Sequence, residues 1–118
     1  MLLIRWLPVF LWLVIICFLS FSSLEEVALP SFFGWDKLGH FGMYFLLEFL
    51  ILFALDFRKK GILLWSLLAL TFSVLTEGIQ HFLIDNRYGE LSDFLANSIG
   101  ILFACILFRK RIKKLTDA

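Results

Sequence analysis

The stretch DKLGHFGMYFLLEFLILFAL, running from Asp36 to Leu55, decides how this chain is read. A helix that crosses a bilayer needs ~20 mostly apolar residues at ~1.5 Å each, and this stretch is long and apolar enough. It nevertheless carries Asp36, Lys37, His40, Tyr44 and Glu48 at recurring three- and four-residue steps. At ~100° per residue those side chains fall on one stripe ~120° wide, flanked by Phe41, Phe45 and Phe49. An apolar helix with a polar stripe belongs inside a bundle, where its polar groups meet those of its neighbours.

Three other stretches have the same character. Leu2 to Phe21 is uncharged after Arg5, and Gly61 to Ile84 is uncharged as far as Thr76. Leu91 to Phe108 contains Asp93 and Asn97 and only narrowly reaches spanning length. In hydrocarbon the backbone must satisfy its own hydrogen bonds, so these segments are expected to be helices. Barrel strands would be about half as long and would alternate apolar and polar residues. The expected fold is therefore an all-α integral membrane four-helix bundle, a single transmembrane domain over residues 1–118. Its helices are expected at about 2–21, 36–55, 61–84 and 91–108, leaving no room for a soluble domain. No internal repeat or low-complexity tract is visible.

Composition supports this. Of 118 residues, 61% are hydrophobic and 18% aromatic, with a mean hydropathy of +0.92. Soluble domains run about 45–50% apolar, and one soluble core of this length could not hide so much more. A disordered chain is excluded by the same figures, and a disulfide scaffold by the presence of only 2 cysteines. Cys17 and Cys105 lie deep in apolar stretches and read as small packing residues. The formal charge of +1 gives no field that would gather nucleic acid, so no nucleic-acid partner is expected.

The placement of charge says more than its sum. Arg5, Arg58, Lys59, Lys60, Arg109, Lys110, Arg111, Lys113 and Lys114 all fall on one side of the expected topology. Only Lys37 and Arg87 fall on the other, with Glu25, Glu26, Asp36, Asp85, Glu90 and Asp93. The positive-inside rule then puts both termini in the cytoplasm. Trp35 suits the outer interface, and Trp6 and Trp65 the inner one. The first stretch also has the outline of a signal peptide, ending at Ser20-Phe21-Ser22, but a retained helix is the expectation.

Ionisable groups inside a span cost ~2.5–3.5 kcal/mol each at a helix centre, so they normally face the bundle interior and mark function. In the third stretch Ser73, Thr76, Glu77, Gln80 and His81 share a broad face. In the fourth, Asp93 and Asn97 are followed on the same line by Gly100 and Ala104, small residues that let backbones approach. By rise per residue His40, Glu77 and Asn97 lie ~6–10 Å from the outer helix ends. They imply an outward-facing polar pocket walled by the first helix. Glu48, ~18 Å along its helix, must pair with another helix or be protonated. Polar residues stop near Glu48, so no continuous path across the membrane is expected.

Two chemistries suit such a pocket. As a binding site, it would use Asp36, Lys37, His40, Tyr44, Glu77, Gln80, Arg87, Asp93 and Asn97. Arg87 would grip a phosphate or carboxylate by paired hydrogen bonds, with Lys37 as a point charge. As an intramembrane hydrolase or transferase, it would use His40 as general base, oriented by Asp36 or Asp93, and Glu77 as acid or base. His40, Glu77, Asp93 and His81 also offer metal-ligand types. There is, however, no H-E-x-x-H, cysteine cluster or activated serine, so no metal and no cofactor is assigned. A purely structural role would cross-link helices at only ~0.6 kcal/mol per hydrogen bond, little against the insertion cost.

DKLGHFGMYF (Asp36 to Phe45), TEGIQ (Thr76 to Gln80), Arg87 and DFLANSIG (Asp93 to Gly100), in this order and spacing, resemble the VanZ-like family. The likeness covers nearly everything from Asp36 onward. Its recurrent polar positions fall on Asp36, Lys37, His40, Tyr44, Thr76, Glu77, Gln80, Arg87, Asp93, Asn97 and Gly100. Glu90 stands where Asp is commoner, and His81 is outside the pattern. The resemblance implies a small multi-pass protein of the bacterial cytoplasmic membrane with a role in the cell envelope, of the kind that contributes to teicoplanin resistance. Implied partners are a membrane lipid, a lipid-linked peptidoglycan precursor or a lipoglycopeptide.

Overall fold

The structure, a computed structural model, describes residues 2–21, 35–83 and 91–112. Among the described residues it is all-helical: α1 (Leu2–Phe21), α2 (Trp35–Ala54), α3 (Ile62–Leu83) and α4 (Leu91–Leu107). Each boundary lies within a residue of the sequence expectation. Asp85, Arg87, Glu90, Glu25 and Glu26 lie outside the described residues. So do the side chains of Trp35 and Asp36, which open α2.

α1, α2 and α3 are long and apolar enough to cross a membrane. α4, with 17 residues, falls short of the length that the sequence suggested. Helical hydrogen bonding nevertheless continues past its end, from the Phe108 amide to Ala104 and from the Ile112 amide to Phe108. A turn at Phe108 separates α4 from a short helical segment over residues 109–112, which carries Arg109, Lys110 and Arg111.

The helices run alternately up and down. Arg5 near the start of α1 reaches Asp56 beyond the end of α2, 3.2 Å away. The other end of α1 meets α3, where Gln80 Nε2 donates to the Ser20 carbonyl at 2.7 Å. α2 is the central element, packed against the other three and most extensively against α4. Gly100 explains that closeness: a Cβ there would lie 2.4 Å from the Phe41 carbonyl oxygen and 3.0 Å from the Phe45 amide nitrogen. Phe103 closes the contact between the rings of Phe41 and Phe45, and Phe49 packs on Phe108.

Tyr44, Leu47 and Ile51 of α2 form the centre of the core with Ile16, Ala69 and Ile101. α1 is more than an apolar wall, since Trp12 Nε1 donates to the Met43 carbonyl at 2.9 Å. Trp6 packs on Trp65 with ring centroids 4.4 Å apart. The usual segregation is inverted: Glu48, Ser73 and Asn97 are 0% exposed, whereas Leu3, Leu63 and Phe82 are 84%, 73% and 81% exposed.

α2 ends in an unusual turn. Asp56 and Phe57 both have φ of 57°, a left-handed conformation that costs an L-residue roughly 1–2 kcal/mol. The Phe57 amide closes the turn on the Leu52 carbonyl at 2.8 Å. Two contacts hold the strain: the Arg5–Asp56 pair, and burial of the Phe57 ring between Phe49 and Phe108 under the Arg111 guanidinium.

Gly100→Ala should force α2 and α4 apart and destabilise the fold by about 1–3 kcal/mol, the usual cost of overpacking. Gly42→Ala meets nothing within 4 Å and should be neutral. Thermal unfolding of the two variants in detergent checks this.

Candidate functional site

At the Lys37 end of the bundle the polar faces of α2, α3 and α4 converge. The first turn of α2 presents Lys37, whose ammonium donates to Asp93 Oδ1 at 2.5 Å. Asp93 sits in the first turn of α4, where the positive end of the helix dipole favours a carboxylate. One turn further along α2, His40 lies between two carboxylates. Its Nε2 is 3.6 Å from Asp93 Oδ2, and its Nδ1 is 3.7 Å from Glu77 Oε1 on α3. All three side chains are buried or nearly so.

Asn97, one turn below Asp93, completes the group. Its two amide atoms lie 3.0 Å from His40 Nδ1 and 2.8 Å from Ser73 Oγ. The orientation that satisfies its surroundings turns the nitrogen toward His40 and toward the carbonyls of His40 and Asp93, while the oxygen accepts from Ser73. His40 Nδ1 is then an acceptor, which leaves its Nε2 proton directed to the Asp93 side. Below this level the Tyr44 hydroxyl meets Thr76 Oγ1 at 3.3 Å, and Thr76 donates to the Ser73 carbonyl at 2.9 Å. Gly100 is what brings Asn97 and Asp93 this close to His40, because it lets α4 rest on α2.

Of the expected site residues, Lys37, His40, Glu77, Asp93 and Asn97 thus form one cluster, and Tyr44 lies beneath it. Gln80 is buried but turns away, toward α1. His81 does not share the buried face of α3 as expected. It is exposed and stacks edge-on against Phe82, having rotated ~100° past Gln80 toward the outside of the helix. Asp36 and Arg87 were also expected here, and their side chains lie outside the described residues.

Glu48 forms a second polar tier ~12 Å further along α2. Ser66 Oγ donates to its Oε1 at 2.5 Å, and Cys105 Sγ does so at 3.3 Å. Its Oε2 has no hydrogen-bond partner among the described residues. At the level of Glu48, where the sequence has the polar residues stop, α3 and α4 thus each contribute a polar partner from an apolar run. Cys105 is a free thiol, as is Cys17, but it is a hydrogen-bond donor and not only a packing residue. A serine and a cysteine in apolar runs carry no periodic signal, and only the buried carboxylate opposite them makes them polar partners.

The cluster can hold and orient a proton on His40, present carboxylates to a cation, and offer Lys37 to an anion. The ligand atoms of His40, Glu77 and Asp93 lie within 4.8 Å of one another. Comparison with protein-family models, curated proteins and solved structures finds no match.

Interhelical hydrogen bonds in membranes average ~0.6 kcal/mol and reach at most ~1.7, so a Ser66→Ala/Glu48→Gln double-mutant cycle should give a coupling in that range. Asn97→Leu leaves His40 and Ser73 without their shared partner and should cost about 1–3 kcal/mol. Unfolding in mixed micelles measures both.

Proposed function

We propose that the chain is a multi-pass protein of the bacterial cytoplasmic membrane, a bundle of four spanning helices with both termini in the cytoplasm. The inverted polarity supports this, with Leu3, Leu63 and Phe82 outside and Glu48 and Asn97 within. The length of α1, α2 and α3 supports it too, as does the crowding of Arg5, Arg58 and Arg109 toward one end. A green fluorescent protein fused to the C-terminus should fluoresce, and an alkaline phosphatase fused there should be inactive. The reverse pattern excludes this topology.

At its outer end the polar cluster recognises the headgroup of an envelope lipid, a lipid-linked peptidoglycan precursor or a lipoglycopeptide, while the apolar tail stays between helices. This is the role that the resemblance to the VanZ-like family implies, with a contribution to teicoplanin resistance. The observation that carries it is the convergence of buried His40, Glu77, Asp93 and Asn97 beside Lys37, at one end of an otherwise apolar bundle. Lys37→Ala and Arg87→Ala should each weaken retention of a lipid-linked precursor in nanodiscs about tenfold or more, the usual effect of losing a charge-assisted hydrogen bond. Both should also lower teicoplanin tolerance in cells expressing the protein. Unchanged retention together with unchanged tolerance overturns this function.

One observation favours a second reading, an intramembrane hydrolase or transferase. His40 has a carboxylate near each ring nitrogen, the arrangement that poises an imidazole for acid–base work. Product release from a lipid-linked substrate that is lost in His40→Ala but kept in Lys37→Ala would establish it.

A further inference from the structure

We infer that His40, Glu77 and Asp93 form a binding site for one divalent transition cation of the zinc class. Three helices each supply one ligand residue at one level of the bundle, and the three ligand atoms lie within 4.8 Å of one another. The donor set is one imidazole and two carboxylates, which suits zinc and its neighbours. Calcium and magnesium prefer all-oxygen shells.

The spacing of these groups carries the inference further than their identity does. His40 stands 3.7 Å from the Glu77 carboxylate and 3.6 Å from that of Asp93. Both gaps exceed the ~2.7–3.2 Å of an N–H···O hydrogen bond. They start from opposite ring nitrogens, so only one of them is a ligand–ligand distance, and that one is close to the ~3.4 Å between two ligand atoms of a tetrahedral ion with ~2.1 Å bonds. One ring nitrogen ligates at a time, so gathering all three ligands, which lie within 4.8 Å of one another, requires a closure of up to about 1.4 Å at the widest gap.

The surrounding groups are those that orient metal ligands. Lys37 holds Asp93 by Oδ1, which leaves Oδ2 toward His40. For His40 to ligate through Nε2, the ring proton moves to Nδ1 and the Asn97 amide turns so that its oxygen accepts from Nδ1 while its nitrogen donates to Ser73 Oγ. Such partners on a ligating histidine and carboxylate typically raise metal affinity 10–100-fold. The second tier lacks this arrangement, with Glu48 and Cys105 offering two ligand atoms in place of three.

The site shares His40, Glu77 and Asp93 with the lipid reading but does not rest on it, and the test uses the metal alone. Full-length protein in detergent, in a Cys17→Ala/Cys105→Ala background that keeps thiols out, is stripped with chelator and dialysed against Zn²⁺. The expected result is one zinc per chain by elemental analysis. Zinc should also raise the melting temperature of this protein. His40→Ala and Asp93→Asn should each weaken binding at least tenfold and abolish the thermal shift, while His81→Ala and Glu48→Gln should do neither. Should His40→Ala fail to fold, the near-isosteric Glu77→Gln carries the test: loss of zinc supports the site, and full affinity overturns it. Zinc no higher than in empty micelles overturns it, as does binding that is indifferent to His40 and Asp93. A protein that binds zinc but no lipid retains this site and loses the lipid function.

Discussion

Gly100 rests against the backbone of α2 at Phe41 and Phe45, and most of the described architecture depends on that approach. Without a side chain at this point, α4 settles on α2 closely enough for short polar groups to meet. Asp93 and Asn97 lie on the same line of α4, so they arrive beside Lys37 and His40. The aromatic rings of Phe41, Phe45 and Phe103 fill the space beside the contact and leave the polar line undivided. In the membrane-spanning bundle proposed above, helix association would gain little from apolar burial, so close backbone packing and shared hydrogen bonds would supply it.

The polar groups of the interior then meet in two tiers. The upper tier joins α2, α3 and α4 through His40, Glu77, Asp93, Asn97 and Ser73. The lower tier joins the same three helices through Glu48, Ser66 and Cys105. The upper tier contains charged groups that exceed what fastening requires, since neutral bonds such as Tyr44 to Thr76 would hold the helices equally well. Charge kept in such a setting is costly, and it is the feature on which the proposed binding role rests. At the opposite end, the Arg5–Asp56 pair and the buried Phe57 ring hold a strained turn that redirects the chain from α2 into α3.

Most of this fold was legible in the sequence because its signals are long and periodic. Helix extents followed from runs of apolar residues. The cluster followed from polar residues at helical steps, as with His40, Tyr44 and Glu48 on α2. What stayed hidden rests on single residues. His81 is one position past Gln80, and a ~100° rotation carried it to the outside. Ser66 and Cys105 became polar partners only because Glu48 faces them. Gln80 carries the pattern of a pocket residue yet spends its amide on the Ser20 carbonyl.

The sequence by itself determined that the chain is helical, how long its helices are, and which face of each is polar. Those properties depend on hydropathy and on rotation per residue, both of which are local. Only the tertiary structure decided which polar faces meet and at what distance. Pairings such as Lys37 with Asp93, and the placement of His40 between Glu77 and Asp93, depend on how closely two backbones approach. That closeness is set across helices by groups far apart in the chain, with Gly100 against Phe41 the clearest case.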